Sequence, residues 1–175
     1  ISSMGTNSLA IYAGKSMSDA RAGLVTTLVD SDAKALNNLP YVVGVSPGVS
    51  GTTQISYGNV NATAHIEGSS PQIFNIRKMK LAQGTFFDAD DVVNRNLNVV
   101  IDEKTKEELF GENKQNIIGK TIFIANSIAR IVGIVKNPPS EFSSKNLTVY
   151  APYKALQTRL IGSSQVQSII LRISD

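Results

Sequence analysis

The feature that most constrains the fold is a regular alternation of apolar and polar residues between positions 49 and 66. Val49 and Ile55 fall on one face of a first extended segment, and Ala64 and Ile66 fall on one face of a second. A repeat of two residues is the period of a β-strand that buries one face. The Gly58-Asn59 pair between the segments is expected to supply the positive φ angles that a tight hairpin requires. The sequence therefore predicts two antiparallel strands joined by a short turn.

Helices are predicted on both sides of this hairpin. Asp30 is expected to cap a helix that runs to Asn38, and Asp102 is expected to cap another whose inner face carries Thr105 and Leu109. Further helices are predicted at 71–76, after the acidic start at 88–91, and at 152–160.

The remaining apolar runs are short and typical of strands. A polar connection is expected through Gly84, and a hairpin turn is expected at Asn126-Ser127. Strands are predicted at 8–12, 98–101, 122–124, 128–135, 147–150 and 166–173. This order of elements predicts an α+β fold with mixed sheets.

The strongest break in the pattern is Asn137-Pro138-Pro139-Ser140, and it suggests a domain boundary. Both ends of the chain are predicted strand-helix-strand units, with a further mixed module between them. Because the termini of a domain often lie close together, we predict one split domain formed by residues 1–72 and 145–175. Residues 73–144 would then form a smaller inserted α/β domain.

Composition points away from an enzyme. The 175 residues include no Cys, no Trp and a single His, and their net charge of +3 is dispersed. The densest basic cluster, Arg77-Lys78-Met79-Lys80, lacks interleaved aromatic residues, so no nucleic-acid partner is expected. No apolar run approaches the length of a membrane span, and no signal peptide precedes Ile1. The chain is expected either to be soluble as it stands or to be cut from something larger.

No residue pattern supports catalysis, a cofactor or a metal site. His65 lies on the predicted polar face of a strand, and no Gly-x-Ser-x-Gly elbow accompanies it. Gly119-Lys120-Thr121 resembles the end of a phosphate-binding loop, but Lys114 stands where the loop requires Gly and a strand follows. The acidic run at 88–91 lacks the calcium-loop pattern and is interpreted as a helix start.

Two aromatic residues remain as candidate contacts with a partner or a substrate. Tyr57 ends a predicted hairpin strand, and Phe142 lies in the polar stretch after the prolines. An exposed aromatic side chain can anchor a partner, whereas one that folds back onto the core cannot. Both interpretations stay open for each residue.

Several short segments along the chain, taken together in their order and spacing, resemble the sequences of one protein family. That family is the region outside the cytoplasm in MacB-type ABC transporters, within the wider FtsX-like permease group. The segments, which cover nearly the whole chain, are Gly5-Thr6-Asn7, Ile11-Tyr12-Ala13-Gly14-Lys15, Ser46-Pro47, Tyr57-Gly58-Asn59-Val60, Phe74-Asn75-Ile76, Gly84, Phe87, Val99-Val100-Ile101-Asp102, Leu109-Phe110, Ile118-Gly119-Lys120, Ala129-Arg130-Ile131-Val132-Gly133-Ile134-Val135 and Ala151-Pro152-Tyr153.

The resemblance implies a periplasmic domain held between two membrane spans of a Gram-negative inner-membrane protein. It implies a porter-like split domain with a Sabre-like insertion. ATP and Mg would bind in a separate cytoplasmic domain, and this domain would hold no cofactor. The full-length transporter would be a homodimer that expels macrolides or peptides through a MacA-like membrane-fusion adaptor and a TolC-like outer-membrane duct. The excised domain is expected to be a monomer, because its remaining surface must overcome the entropy of association.

Four alternatives stay open at this point. Related FtsX-like permeases serve lipoprotein release, antimicrobial-peptide export or cell division, and the sequence excludes them poorly. A free-standing periplasmic binding module is an alternative from a different class.

Overall fold

A computed structural model of the chain describes residues 7–13, 28–112, 116–137, 146–162 and 165–174. Its strands pair both parallel and antiparallel in mixed sheets that share strand β2, and a few short helices accompany them, which confirms the α+β class. The strands are β1 (Ser8–Tyr12), β2 (Val42–Tyr57), β3 (Val60–Ser69), β4 (Leu81–Gly84), β5 (Asn98–Asp102), β6 (Thr121–Ile124), β7 (Ser127–Val135), β8 (Leu147–Pro152) and β9 (Ser168–Ile173). The helices are α1 (Asp30–Asn37), α2 (Gln72–Ile76), α3 (Ala89–Val93), α4 (Glu103–Phe110) and α5 (Tyr153–Leu156), and a π-helical segment (Gln157–Ile161) continues α5.

The alternating segment forms the hairpin predicted for it. Strands β2 and β3 pair antiparallel from Val49 opposite Gly68 to Tyr57 opposite Val60. Gly58 has a φ of 57°, but Asn59 is not among the residues with positive φ, so one residue alone supplies the left-handed conformation. The prediction of positive φ for both turn residues was therefore wrong.

Six of the strands close into a barrel, which we call the closed barrel. Its order is β2, β3, β8, β5, β7 and β6, and β6 pairs with β2 to complete the ring. Paired residues lie on the same face of a sheet, and the pairs Ile55–Ile124 and Ile101–Val149 are fully buried inside. The inward-facing apolar side chains of these strands thus fill one interior.

Helix α4 contacts β2, β3, β5, β7 and β8. A helix that contacts five of the six barrel strands must lie across an open end of the ring. Its buried residues, Thr105 and Leu109, are those predicted for its inner face, and Asp102 caps it as predicted. The Asp102 carboxylate accepts from the Thr105 backbone N–H at 2.9 Å.

A second, smaller sheet extends from the first half of β2, and we call it the terminal sheet. Strand β9 lies between β1 and β2 and pairs antiparallel with both. Ile169 is fully buried opposite Ile11 and Pro47. The 16 residues of β2 therefore belong to two sheets, with Val42–Gly48 in the terminal sheet and Val49–Tyr57 in the barrel.

An aromatic cluster fills the space outside the barrel wall under α2. The ring of Phe74 lies 4.1 Å from that of Phe86, 5.0 Å from that of Phe87 and 6.0 Å from that of Tyr150. Rings at these spacings, stacked or edge-on, contribute about 0.5–1.5 kcal/mol per pair beyond their burial. This cluster fixes α2 and the approach to α3 against β8.

Several predicted boundaries needed correction. Val29, not Asp30, caps α1, and its backbone N–H donates to the Asp32 carboxylate at 2.9 Å. The segment before Gly84 is strand β4 rather than a polar connection. The turn between β6 and β7 is at Ala125-Asn126, one residue earlier than predicted, because Ala125 adopts a φ of 51°.

The ends of the chain pair with each other, as β1 lies against β9 and not against a strand of the middle segment. Strands from residues 73–144 also continue the barrel that β2, β3 and β8 begin. The division into residues 1–72 with 145–175 and an inserted 73–144 stays a prediction. The Pro138-Pro139 break on which it rests lies outside the described residues.

Candidate functional site

Tyr57 lies at the end of β2, where the β2–β3 hairpin meets α4. It is half-buried, and its ring centroid lies 4.3 Å from that of Phe110 at an angle of 41°. The Tyr57 ring packs against Phe110, the last residue of α4, so one side of the ring is packed against the core. The structure places Tyr57 at a packed junction at one end of the barrel. Its role in contacting a partner stays a prediction.

Phe142 lies outside the described residues, so the structure does not bring it together with Tyr57. Its role in contacting a partner or a substrate also stays a prediction.

His65 lies on the outer wall of the barrel. Its register partners are Thr52 on β2 and Thr148 on β8, and it is half-buried. Along the same face of β3 follow Asn61, Thr63 and Glu67, which matches the polar face expected from the sequence.

The acidic run forms a helix cap. Asp88 precedes α3 and accepts from the Asp91 backbone N–H at 2.9 Å, and Asp91 accepts from the side-chain amides of Asn96 and Asn98 at 3.2 and 2.8 Å. Thr121 begins strand β6, so Gly119 leads into a strand as predicted rather than into a phosphate-binding helix. In the described parts of the chain, no group of three acidic, His or Cys side chains could hold a metal ion.

A buried polar network ties α4 to β8. The Thr105 hydroxyl donates to Asp102 at 2.5 Å and accepts from the Thr148 backbone N–H at 3.2 Å. Burial raises the pKa of the Asp102 carboxyl, although the hydrogen bonds from Thr105 oppose this shift. The network joins the first turn of α4 to the start of β8 by hydrogen bonds.

A charged pair on the outer wall joins β3 to the residue that follows α2. Arg77 and Glu67 form two N–O contacts of 2.9 and 2.8 Å, which is the bidentate arrangement. The pair lies beside Tyr150, whose pKa burial and the Glu67 charge raise to about 12.

A groove of about 430 Å³ opens between α1, β2 and α5. The Tyr153 hydroxyl at its edge donates to Asp30 at 2.6 Å, and the Lys154 ammonium lies 3.4 Å from the same carboxylate. Burial and this bond raise the pKa of Tyr153. Sequence reasoning missed this contact, because nothing local in the sequence links positions that are 123 residues apart.

Among the described residues, no helix has both the length and the apolar character needed to cross a bilayer.

Comparison with protein families matches residues 1–175 to the family described as MacB-like periplasmic core domain. Among curated relatives, the chain is 43% identical over 176 residues to the macrolide export ATP-binding/permease protein MacB of Rhodopseudomonas palustris strain HaA2. That match covers 100% of the chain and 27% of the relative. The chain thus spans about a quarter of the length of the curated relatives it matches.

Two solved structures have a fold similar to that of this chain. The periplasmic region of MacB from Actinobacillus actinomycetemcomitans matches with a TM-score of 0.86 and 32% identity, over 99% of this chain and 77% of that one. The extracellular domain of the noncanonic ABC-type transporter YknZ from Gram-positive bacteria matches with a TM-score of 0.78 over 97% of this chain and 84% of that one. Its identity is 16%, so that likeness concerns the fold alone.

Proposed function

Because the chain belongs to the MacB-like periplasmic core domain family and lies in the periplasm, we propose that it couples ATP hydrolysis elsewhere in a longer protein to export from the periplasm. The observation that carries this proposal is the match along the whole chain, in sequence and in fold, to the periplasmic region of MacB. In this proposal the domain transmits movement and performs no chemistry itself.

The architecture supports a mechanical role. Strand β2 runs without interruption through the terminal sheet and the closed barrel. Strand β1 begins and strand β9 ends at the same end of the terminal sheet, where the Ile173 backbone N–H donates to the Asn7 carbonyl at 2.9 Å. A displacement applied to both chain ends would therefore reach the barrel through hydrogen-bonded strands.

We propose macrolides or peptides as the exported substrates, with ATP and Mg bound in a cytoplasmic domain of the longer protein. The partners would be a MacA-like membrane-fusion adaptor and, through it, a TolC-like duct in the outer membrane. The full-length transporter would act as a homodimer.

An exchange of domains tests the proposed function directly. The corresponding region of the Rhodopseudomonas palustris MacB would be replaced by residues 1–175, and the chimera expressed with its adaptor in cells that lack a macrolide exporter. We expect the chimera to restore resistance to a macrolide. A chimera that assembles and hydrolyses ATP but confers no resistance would contradict the proposal.

The excised domain should be monomeric in sedimentation experiments at micromolar concentration. In the excised domain, contacts between the periplasmic surfaces alone would have to offset the entropy lost on association, because the membrane and ATPase parts of the proposed dimer are missing. A tight dimer under these conditions would contradict this expectation.

We also propose Phe142 and Tyr57 as contacts with a partner or substrate. Phe142→Ala should impair transport and change the free energy of unfolding by less than about 1 kcal/mol, since a core Phe→Ala change costs roughly 3–5 kcal/mol. Tyr57→Ala should cost more stability, because its ring leans on Phe110. Transport that falls only in proportion to the amount of folded protein would assign both residues a structural role.

A further inference from the structure

Strand β2 changes its partner where it passes from the terminal sheet into the closed barrel. Strand β9 pairs with it from Val42 to Gly48, and strand β3 pairs with it from Val49 to Tyr57. These two strands lie on opposite sides of β2, and no other described strand belongs to both sheets. At the crossing, β2 is therefore paired on one side at a time. Its backbone groups on the unpaired side need other partners, because buried N–H and C=O groups are costly when left unbonded.

Residues that follow β3 supply these partners in the terminal-sheet half of β2. The Val45 backbone N–H donates to Gln72 Oε1 at 2.6 Å, and the Val45 carbonyl accepts from the Ser70 hydroxyl at 3.3 Å. The buried Ser46 hydroxyl accepts from the Ser70 backbone N–H at 3.1 Å. Two polar residues thus continue the contact with β2 beyond the point where β3 stops pairing with it.

The reverse contact comes from the residue that precedes β9. The Gln167 backbone N–H donates to the Gly48 carbonyl at 2.8 Å. Its side-chain Oε1 accepts from the Ser50 backbone N–H at 2.8 Å and from the Ser50 hydroxyl at 3.2 Å. Ser50 lies in the barrel half of β2, opposite Glu67. Gln167 therefore reaches from the terminal sheet across the crossing to the barrel.

We call Ser70, Gln72 and Gln167 the crossing brace. On each side of β2, a residue next to the partner strand of one sheet bonds to the half of β2 that belongs to the other sheet. Strand pairing alone would join the two sheets through the backbone of β2, whose φ and ψ angles are soft. With the brace, a twist at the crossing must break further hydrogen bonds, and one of them serves the buried N–H of Val45.

We propose that the crossing brace couples the two sheets, so that a displacement of the terminal sheet moves the closed barrel instead of twisting β2. Its members are positioning residues that act through the backbone of β2. This inference rests on the proposed function, in which movement passes through the domain.

Amide hydrogen exchange of the full-length protein in nanodiscs tests the brace itself. Gln72→Leu removes the acceptor of the Val45 N–H at similar side-chain size. We expect residues 42–48 and 168–173 to exchange about tenfold faster or more, since a buried N–H loses its partner. Residues 121–135 of the barrel should exchange as in the wild type.

Three further variants sharpen this measurement. Gln167→Leu removes the contact on the other side of the crossing and should also speed exchange in the terminal sheet. Gln72→Glu keeps an oxygen that can accept from Val45 and should restore slow exchange. Gln54→Leu is the matched control, because Gln54 is an exposed residue in the barrel half of the same strand. It should exchange like the wild type.

The coupling role needs a second measurement. Macrolide resistance would be compared in cells that express each full-length variant with the MacA-like adaptor, and ATP hydrolysis would be measured on the purified proteins. We expect Gln72→Leu and Gln167→Leu to lower the tolerated macrolide concentration about threefold or more at unchanged ATP hydrolysis, and Gln72→Glu to restore it. A merely structural role would lower hydrolysis and resistance together, with the amount of folded protein.

The outcomes separate the two proposals. Wild-type exchange in both leucine variants of the brace would overturn it, and so would equally fast exchange in Gln54→Leu. Faster exchange with full resistance would overturn the coupling role and leave the proposed function intact. A wild-type protein that confers no resistance would contradict the proposed function and the coupling role with it, whereas the exchange rates would still decide whether the brace joins the two sheets.

Discussion

The closed barrel and the terminal sheet share strand β2 but are held together in different ways. In the barrel, every strand is paired on both sides and fully buried side chains meet in one interior. In the terminal sheet, β1 pairs only with β9 among the described strands, and its residues are half-buried or exposed. Closure removes the edges of a sheet, whereas an edge strand depends on a single neighbour. We therefore expect the barrel to be the more stable part and the terminal sheet to be easier to deform.

A pair of core truncations gives the largest expected difference between the two regions. Ile131→Ala, in the barrel interior, should lower the free energy of unfolding by about 2–5 kcal/mol through lost burial and a cavity. Ile11→Ala, on half-buried β1, should lower it by about 1 kcal/mol. Urea unfolding of both variants measures the difference, provided that the dependence of the unfolding free energy on urea concentration is unchanged. Equal losses would contradict the contrast between barrel and terminal sheet.

Two glycines of the barrel sharpen the comparison within one hairpin. A Cβ at Gly68 would come within 2.6 Å of Val49, 2.7 Å of Leu156 and 3.1 Å of the Tyr153 backbone. Gly68→Ala should therefore cost about 1–3 kcal/mol, because the backbone under α5 has to shift. Gly51→Ala is the matched control, since nothing lies within 4 Å of its added Cβ. It should change stability by less than about 0.5 kcal/mol. Similar effects of the two changes would show that α5 is not seated tightly on β3.

The cap of α4 predicts a dependence on pH. Burial raises the pKa of Asp102 in the folded state, so the folded protein holds this proton more tightly than the unfolded chain does. The stability from this proton is complete below the unfolded pKa and is lost as pH rises through the folded pKa. Asp102→Asn keeps a capping side chain without the titration. The stability of the wild type relative to this variant should fall as pH rises through that interval. A constant difference would contradict the raised pKa.

The smallest effect is expected for His65 on the outer wall. Its side chain lies on the polar face of β3, outside the barrel interior. His65→Ala should change the free energy of unfolding by less than about 0.5 kcal/mol and leave transport near the wild-type level. A large loss of transport by a variant that is fully folded would assign His65 a function.

Much of the local structure followed from the sequence. The β2–β3 hairpin was predicted because alternation with a period of two leaves a strand only one face to bury. The cap at Asp102 was predicted because a short carboxylate can accept from the exposed N–H groups of a helix start, and the acidic run at 88–91 was predicted to begin a helix because negative charge is favourable there. The turn after β6 was placed one residue late, because nothing in the side chain of Ala125 marks it for a positive φ.

The candidate site depended more on long-range contacts. The sequence singled out Tyr57 as an aromatic residue at a hairpin end, and the tertiary structure placed its ring against Phe110. The pair Phe123 and Ile128 looked like ordinary strand residues, since an apolar side chain does not itself show which face of a barrel it occupies. Closure of β6 onto β2 decided that Ile122 and Ile124 point inward and Phe123 outward.

The sequence by itself determined the class of fold, most of the elements and, through resemblance of ordered motifs, the family. These depend on periodicity, capping and turn residues, which act over a few neighbouring positions. Only the tertiary structure decided that β2 serves two sheets, that six strands close into a ring, and that Asp30 meets Tyr153 across 123 positions. Such contacts are chosen by packing of the whole chain, because many pairings satisfy the same local pattern and one of them fills the interior.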